Sequence, residues 1–288
     1  MRYCIAHTTH YTYSQPVHLR THTLKLCPRN DGAQWLHQFE VNITPTPIHQ
    51  TYFLDIHGNT CLNISFREPI ASLKIQTTST VSTTRDNPFD YISKPWAVQF
   101  PLDYPSSLAH QLSPYLHFPV GHGINTAMEP AVLDMARQLK QAAQQNVGYF
   151  LTQLTQLIPN KLDYQQRLEG EPYPPAVTLA EGAGTCRDFT VLFMAVCHAV
   201  GLAARFVSGY QEGDLDSDAP HDLHAWAEVY IPGGGWRGFD PTLGLAVGDR
   251  HIAIAAAPLP SQAAPVSGTL KTTDPIQTTL DSHIQIRI

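Results

Sequence analysis

Cys186, His224 and Asp240 are residue types that can together carry out nucleophilic acyl chemistry, and the sequence around each places them where that chemistry needs them. Cys186 stands where Gly182-Ala-Gly-Thr185 gives way to the apolar run Phe189–Val200. In that run Leu192, Phe193, Val196, Ala199 and Val200 recur at three- and four-residue steps, and Gly201 follows as a stop signal. The spacing predicts a mostly buried helix with Cys186 at its N-terminus and Gly201 as its C′ cap. Unpaired N–H groups and the macrodipole favour negative charge at such a position, which lowers a thiol pKa from ~8.5 toward roughly 3.5–7.5 and supplies the thiolate nucleophile.

A nucleophile needs a base, and the base needs an orienter. His224-Ala-Trp-Ala-Glu-Val-Tyr-Ile231 alternates and is rich in aromatic and β-branched residues, the pattern of a strand. Pro232-Gly-Gly-Gly235 is turn chemistry, and Trp236-Arg-Gly-Phe-Asp240, closed by Pro241, is the returning strand. With the loop centred on Gly233–Gly234, the partner of His224 falls near positions 240 to 243, so His224 and Asp240 lie side by side. A cysteine at a helix start facing His and Asp on adjacent strands has the geometry of amide-directed nucleophilic catalysis.

The blocks Gly-Thr-Cys-Arg-Asp-Phe, Ala-Arg-Phe-Val-Ser-Gly-Tyr, His-Ala-Trp-Ala-Glu-Val-Tyr and Gly-Trp-Arg-Gly-Phe-Asp-Pro-Thr resemble the core of bacterial transglutaminase-like proteins. The Cys-His-Asp order agrees, with separations of 38 residues (224 minus 186) and 16 residues (240 minus 224). The resemblance implies a papain-like α+β core and chemistry on amide carbonyls. It makes Cys186 the nucleophile, His224 the base and Asp240 the orienter.

Those three residues need a scaffold, and 288 residues with 43% hydrophobic and 15% charged content suffice for two globular domains. The formal charge of −6 speaks against general affinity for nucleic acid or anionic membranes. The first ten residues carry no apolar h-region, and no run approaches the ~20 apolar residues of a membrane span. Five cysteines, an odd number without paired spacing, suggest a reducing, cytoplasmic setting. No membrane or nucleic-acid partner and no cofactor is expected; the expected partner is a peptide or protein substrate.

Residues 1–85 alternate polar and apolar in short runs separated by Ser14-Gln-Pro16, Asn30-Asp-Gly32, Pro45-Thr-Pro47 and His57-Gly-Asn59. That pattern predicts an N-terminal antiparallel β-sandwich, and it resembles the β domain that precedes the core in bacterial transglutaminase-like proteins. Seven histidines (His7, His10, His18, His22, His37, His49, His57) crowd this region with Cys4, Cys27 and Cys61. Lacking a C-x-x-C pair or an H-x₃-H element, they are read as strand-surface histidines and small buried thiols, and no metal site is assigned.

Residues 86–125, rich in Pro and aromatics, form an ordered connector with a short helix over Ser106–Leu116. Residues 126–288 are the catalytic domain. Thr126-Ala-Met-Glu129 fits a capping box, followed by a stripe of Val132, Met135, Leu139 and Ala142 or Ala143. A second helix spans about Gly148–Ile158. Asp163 to Pro175 borders the cleft by resemblance, with Tyr164 and Gln165 candidate substrate or oxyanion contacts beside the Cys186 N–H.

Asp188 is expected to bond backbone or a neighbouring arginine, Arg187 or Arg205, and Cys197 to be core. Trp226 and Trp236 are expected to face each other across the hairpin. Gln211–Asp222 reads as an acidic loop beside the cleft. Its Asp214, Asp216 and Asp218 lack the Gly and Glu that a calcium loop requires. A further strand is expected over Asp249–Ala257, and a last one over Leu280–Ile288.

The expected chemistry is attack of Cys186 on an amide carbonyl, through a thioester, with hydrolysis favoured over transfer to an amine. Water at ~55 M meets an exposed thioester by default, whereas transfer needs a site that shields the ester and orients the amine. The alternatives are glutamine–lysine cross-linking, a non-catalytic peptide-binding module on the same fold, and a zinc hydrolase built on the N-terminal histidines.

Overall fold

Alternation in the first third of the chain becomes six strands: β1 (Arg2–Val17), β2 (His22–Leu24), β3 (Gln34–Thr44), β4 (His49–Leu54), β5 (Thr60–Ser65) and β6 (Ile70–Thr83). The computed structural model describes all residues except 119–128, 168–169, 214–222 and 273–274. Along β1 every second side chain is buried, from Tyr3 and Ile5 to His7 and Thr9, as one covered face requires. The rest of the chain forms α1 (Ser106–Leu112), α2 (Pro130–Ala142), α3 (Val147–Lys161), β7 (Asp163–Tyr164), α4 (Pro175–Glu181), β8 (Ala183–Gly184) and α5 (Cys186–Ala199). It continues through β9 (Ala204–Gln211), β10 (His224–Ile231), β11 (Gly235–Asp240), β12 (Leu245–Ala246), β13 (His251–Ala257), β14 (Val266–Ser267) and β15 (Thr278–Arg287).

Two antiparallel four-stranded sheets, ordered β15-β1-β6-β3 and β14-β2-β5-β4, make the N-terminal sandwich. Leu24, Leu62, Ile64, Leu73, Ile75 and Val81 fill the space between them. The last strand forms where its alternation predicts, but it pairs with β1, from Cys4 opposite Arg287 to Tyr13 opposite Thr278. The chain's end therefore lies in the N-terminal sheet, although it falls within the span 126–288 expected for the core.

The second half is a five-stranded antiparallel sheet, β12-β11-β10-β9-β13, with α5 laid against β10 and β9 and covered by α2, α3 and α4. Phe189, Leu192, Phe193 and Val196 of α5 join Phe150, Leu154 and Ile158 of α3 in one apolar core. This is the mixed α+β architecture expected of the core. Of the expected capping box, Thr126, Ala127 and Met128 lie outside the described residues; α2 begins at Pro130 with Glu129 before it. α4 was not foreseen, although Pro175 in its first turn and left-handed Gly182 just past its end mark it.

β13 is the seam between the halves. Ile252 and Ile254 turn into the sandwich core together with Tyr210 of β9, whereas Ala255 and Ala257 face the α5 side. Its free edge is covered by two amide side chains of the sandwich. Gln34 accepts from Ala253 N (2.8 Å) and donates to Ala253 O (2.9 Å), and Asn59 does the same at Ala256 (2.8 and 3.0 Å). Paired in this way, Ala253 and Ala256 on a buried strand edge keep partners for their backbone N–H and C=O groups. His7, expected on a strand surface, is instead buried at this seam, its Nδ1 3.0 Å from the Tyr210 hydroxyl, and burial lowers its pKa to about 4.

The connector packs on both halves through Tyr115, whose hydroxyl is 3.0 Å from His57 Nδ1 and whose ring meets Trp236. It also supports the hairpin turn. Gly233, at φ +93°, passes so close to the connector that a Cβ would lie 2.3 Å from Ile92 O.

Candidate active site

The start of α5 is held by a reciprocal cap. The Thr185 side chain accepts from Asp188 N, and Asp188 Oδ2 accepts from Thr185 N (2.7 Å) and its hydroxyl (2.9 Å). Cys186 is therefore the first residue of the helix, and it is buried. Asp188 does not pair with Arg187 or Arg205. Arg187 donates to Gly170 O (2.8 Å) and Arg167 O (2.7 Å), and Arg205 binds Glu228.

The partners of Asp188 are Arg167 Nη2 (2.6 and 2.9 Å) and Tyr173 N (2.6 Å), reaching in from the segment that precedes α4. Burial raises the Asp188 pKa, but the Thr185 and Tyr173 N–H groups and the Arg167 guanidinium outweigh it and hold the carboxyl below its ordinary value. One buried carboxylate thus ties the cleft-side segment to the helix that carries the thiol. In the same region β7 runs parallel to β8, which sets half-exposed Tyr164 beside Gly184 and puts Gln165 N on Gly184 O (2.9 Å).

His224 opens β10 and Asp240 closes β11. The hairpin sets Ala227 opposite Phe239 and Tyr230 opposite Trp236. Continued outward, that register puts position 226 against 240 and 224 against 242, so His224 and Asp240 are diagonal neighbours on one face. His224 Nε2 lies 2.7 Å from Asp240 Oδ2. With Nε2 so engaged, Nδ1 is the nitrogen left to the Cys186 thiol, a hydrogen-bonding neighbour of the ring. The three residues singled out from the sequence are thus brought together.

The same register separates the two tryptophans that were expected to face each other. Trp226 stands edge-on to His251 (centroids 5.2 Å apart), and Trp236 packs on Tyr230 and under the Arg205 guanidinium. Trp226 crosses β9 at Gly209, where a Cβ would lie 2.4 Å from Trp226 Cη2 and 2.3 Å from Ile252 O. Only glycine fits there.

Asp240 is fully buried and surrounded by donors. Its Oδ1 accepts from Thr242 N (2.9 Å) and Leu243 N (3.1 Å), and its Oδ2 accepts from His251 Nε2 (2.9 Å) as well as from His224. Burial raises the Asp240 pKa, yet the His224 charge and the hydrogen bonds from both rings drive it well below the usual carboxylate range. For His224 burial lowers the pKa, but the Asp240 charge and hydrogen bond, with Cys186, carry it up to about 10.

The ligand-type atoms of His224, Asp240 and His251 lie within 4.8 Å of one another. Both Nε2 atoms are directed at a single carboxylate oxygen, which is the geometry of hydrogen bonds shared by one acceptor. His251 was missed in the sequence, although a histidine opening the otherwise apolar strand Ile252–Ala257 signals a buried polar partner. Cys197 is buried core, and burial raises its pKa well above the ordinary thiol value. Asp214, Asp216, Asp218 and Asp222 of the acidic loop lie outside the described residues.

Residues 3–82 match the bacterial transglutaminase-like N-terminal region, and residues 133–241 match the transglutaminase-like superfamily. An uncharacterized protein of Mycobacterium tuberculosis is 28% identical over 287 residues, covering 94% of this chain and 88% of that protein. A protein-glutamine gamma-glutamyltransferase of Pseudomonas aeruginosa is 35% identical over 101 residues, 28% of this chain and 15% of that protein. Among solved structures, a protein of Cytophaga hutchinsonii provisionally classed as a cysteine protease superposes with a TM-score of 0.74 at 22% identity. It covers 100% of this chain and 90% of that one, and so shares the whole fold.

Proposed function

We propose that this chain, a transglutaminase-like superfamily member with the bacterial transglutaminase-like N-terminal region, is a cysteine enzyme that cleaves amide bonds in peptides or proteins through Cys186, His224 and Asp240. The observation that carries this reading is the His224 ring, which lies between the Cys186 thiol and the buried Asp240 carboxylate.

The Cys186 thiolate adds to the amide carbonyl, and the carbonyl electron pair moves onto oxygen. The Cys186 N–H, at the first helical position and without an acceptor inside the helix, faces that oxyanion. As the C–N bond breaks, the His224 imidazolium gives its proton to the departing amine, leaving a thioester. Water then adds to the thioester while His224 takes its proton, and the collapse frees a carboxylic acid and the thiolate. Asp240 fixes the ring through Nε2 and stabilises its charged form in both halves of the cycle.

Hydrolysis is favoured because water reaches a thioester without a dedicated subsite. Amine transfer is the second reading, supported by the name of the Pseudomonas relative. A cytoplasmic location belongs to the proposal, and cell fractionation tests it.

Incubation with a peptide library, with and without a primary amine, followed by mass spectrometry of the products, separates the outcomes. New carboxyl termini or deamidated side chains lost in Cys186→Ala support hydrolysis. Amine adducts replace it with transfer. Wild-type Cys186 that alkylates no faster than exposed Cys4 leaves only a peptide-binding role.

A further inference from the structure

We infer that His251 is a positioning residue of this site: donating from Nε2 to the carboxylate oxygen that also receives His224, it fixes the direction of Asp240 and weakens its hold on the His224 proton. The inference rests on the proposed triad and adds a member to it from a strand that lies beyond the hairpin.

Three observations carry it. Asp240 Oδ2 accepts from His224 Nε2 at 2.7 Å and from His251 Nε2 at 2.9 Å, while Oδ1 is taken by two backbone N–H groups. A carboxylate with four donors has one orientation. His251 is itself buried, and its Nδ1 has no hydrogen-bond partner. A ring with its proton on Nε2 meets Asp240 as a donor and leaves a bare acceptor at Nδ1, whereas a second proton there would strand a buried donor. Third, the position of His251 is built in from both sides. Trp226 stands edge-on to the ring across the gap left by Gly209, and Gln34 and Asn59 of the sandwich clamp the backbone of β13. The sandwich thereby helps to place a group at the triad.

Among the described residues, the titratable groups in contact with His251 are Asp240 and His224. Its neighbour Arg250 pairs with Glu212 (3.3 Å), which also accepts from the Tyr3 hydroxyl. One oxygen shared by two donors binds each less strongly than it would bind one alone. Without His251 the whole carboxylate charge faces His224, and the imidazolium persists to higher pH.

The test compares wild type with His251→Leu and with His251→Gln, whose amide N–H can still donate to Oδ2. Two readouts are followed against pH: the His224 ring titration by NMR, and alkylation of Cys186 by iodoacetamide, measured on its own peptide by mass spectrometry. The Leu variant is expected to move the high-pH limb upward by roughly half a unit to one unit, and the Gln variant to stay near wild type. If the Leu variant does not fold, His251→Asn, polar but too short to reach Oδ2, must show the same shift. A Leu or Asn variant with the wild-type midpoint overturns the inference, as does a Gln variant that moves as far as Leu. A wild-type Cys186 as slow as Cys4 would instead sink the triad reading, and the His224 titration would still answer for His251.

Discussion

His224 Nε2 and Asp240 Oδ2 are 2.7 Å apart, and the carboxylate has no exposed surface. A buried charge this close to an imidazole decides both its tautomer and its protonation. In Asp240→Asn the new amide nitrogen would replace one of the two oxygens and direct its N–H groups at the pair of donors that oxygen now accepts. Turnover, or alkylation of Cys186 in its place, is expected to fall by about 10³–10⁴-fold with the fold retained by circular dichroism. Retention of wild-type reactivity would remove Asp240 from the mechanism.

Stability should decline on the alkaline side because of His224. Burial alone would lower its pKa, but Asp240 and Cys186 carry it from 6.5 to about 10, so the folded value exceeds the unfolded one. Such a group contributes stability that is complete below the unfolded pKa and is lost as pH rises through the folded one. The melting temperature should therefore fall between roughly pH 6.5 and 10, and His224→Gln should flatten that limb. Parallel slopes in the two proteins would contradict the coupling.

Gly209→Ala should disturb both fold and site. The added methyl would lie 2.3 Å from Ile252 O and 2.4 Å from the Trp226 ring, and neither the strand nor the buried indole has room to retreat. A loss of about 1–3 kcal/mol is expected from chemical denaturation, together with slower alkylation of Cys186 as Trp226 and His251 shift. An unperturbed variant would mean that this crossing tolerates a Cβ.

Gln34→Ala tests the clamp on β13. It removes the bonds to Ala253 N (2.8 Å) and Ala253 O (2.9 Å); Ala253 O still accepts from Arg29 N (2.9 Å), but the buried Ala253 N–H is left without its partner. The cost should be about 1–3 kcal/mol, with faster hydrogen exchange at Ala253. Gln34→Glu keeps the acceptor but sets an oxygen against Ala253 O, and should also destabilise. Unchanged exchange in both variants would show that the edge is held without Gln34.

Several features were legible because they depend on near neighbours in sequence. The strands of the sandwich follow from period-two alternation, and α5 follows from its three- and four-residue apolar spacing between Thr185 and Gly201. A short turn fixes hairpin register, so counting outward from Gly233–Gly234 placed His224 beside Asp240 before any coordinates. The same count, applied to Trp236, would have set it near positions 228 to 231, where the structure pairs it with Tyr230, and not opposite Trp226. α4 was equally legible from Pro175 and Gly182 and was overlooked.

What the sequence by itself determined is therefore local: the helix start that carries Cys186, the hairpin that carries His224 and Asp240, and the alternating strands of the N-terminal region. Tertiary structure alone decided that Arg167 reaches Asp188, that β15 returns to β1, and that His251 arrives at Asp240 from beyond the hairpin. The physical reason is range. Periodicity and turn chemistry act over a few residues, whereas these partners are 21, 11 or more than 200 positions apart and meet only when separate elements pack together.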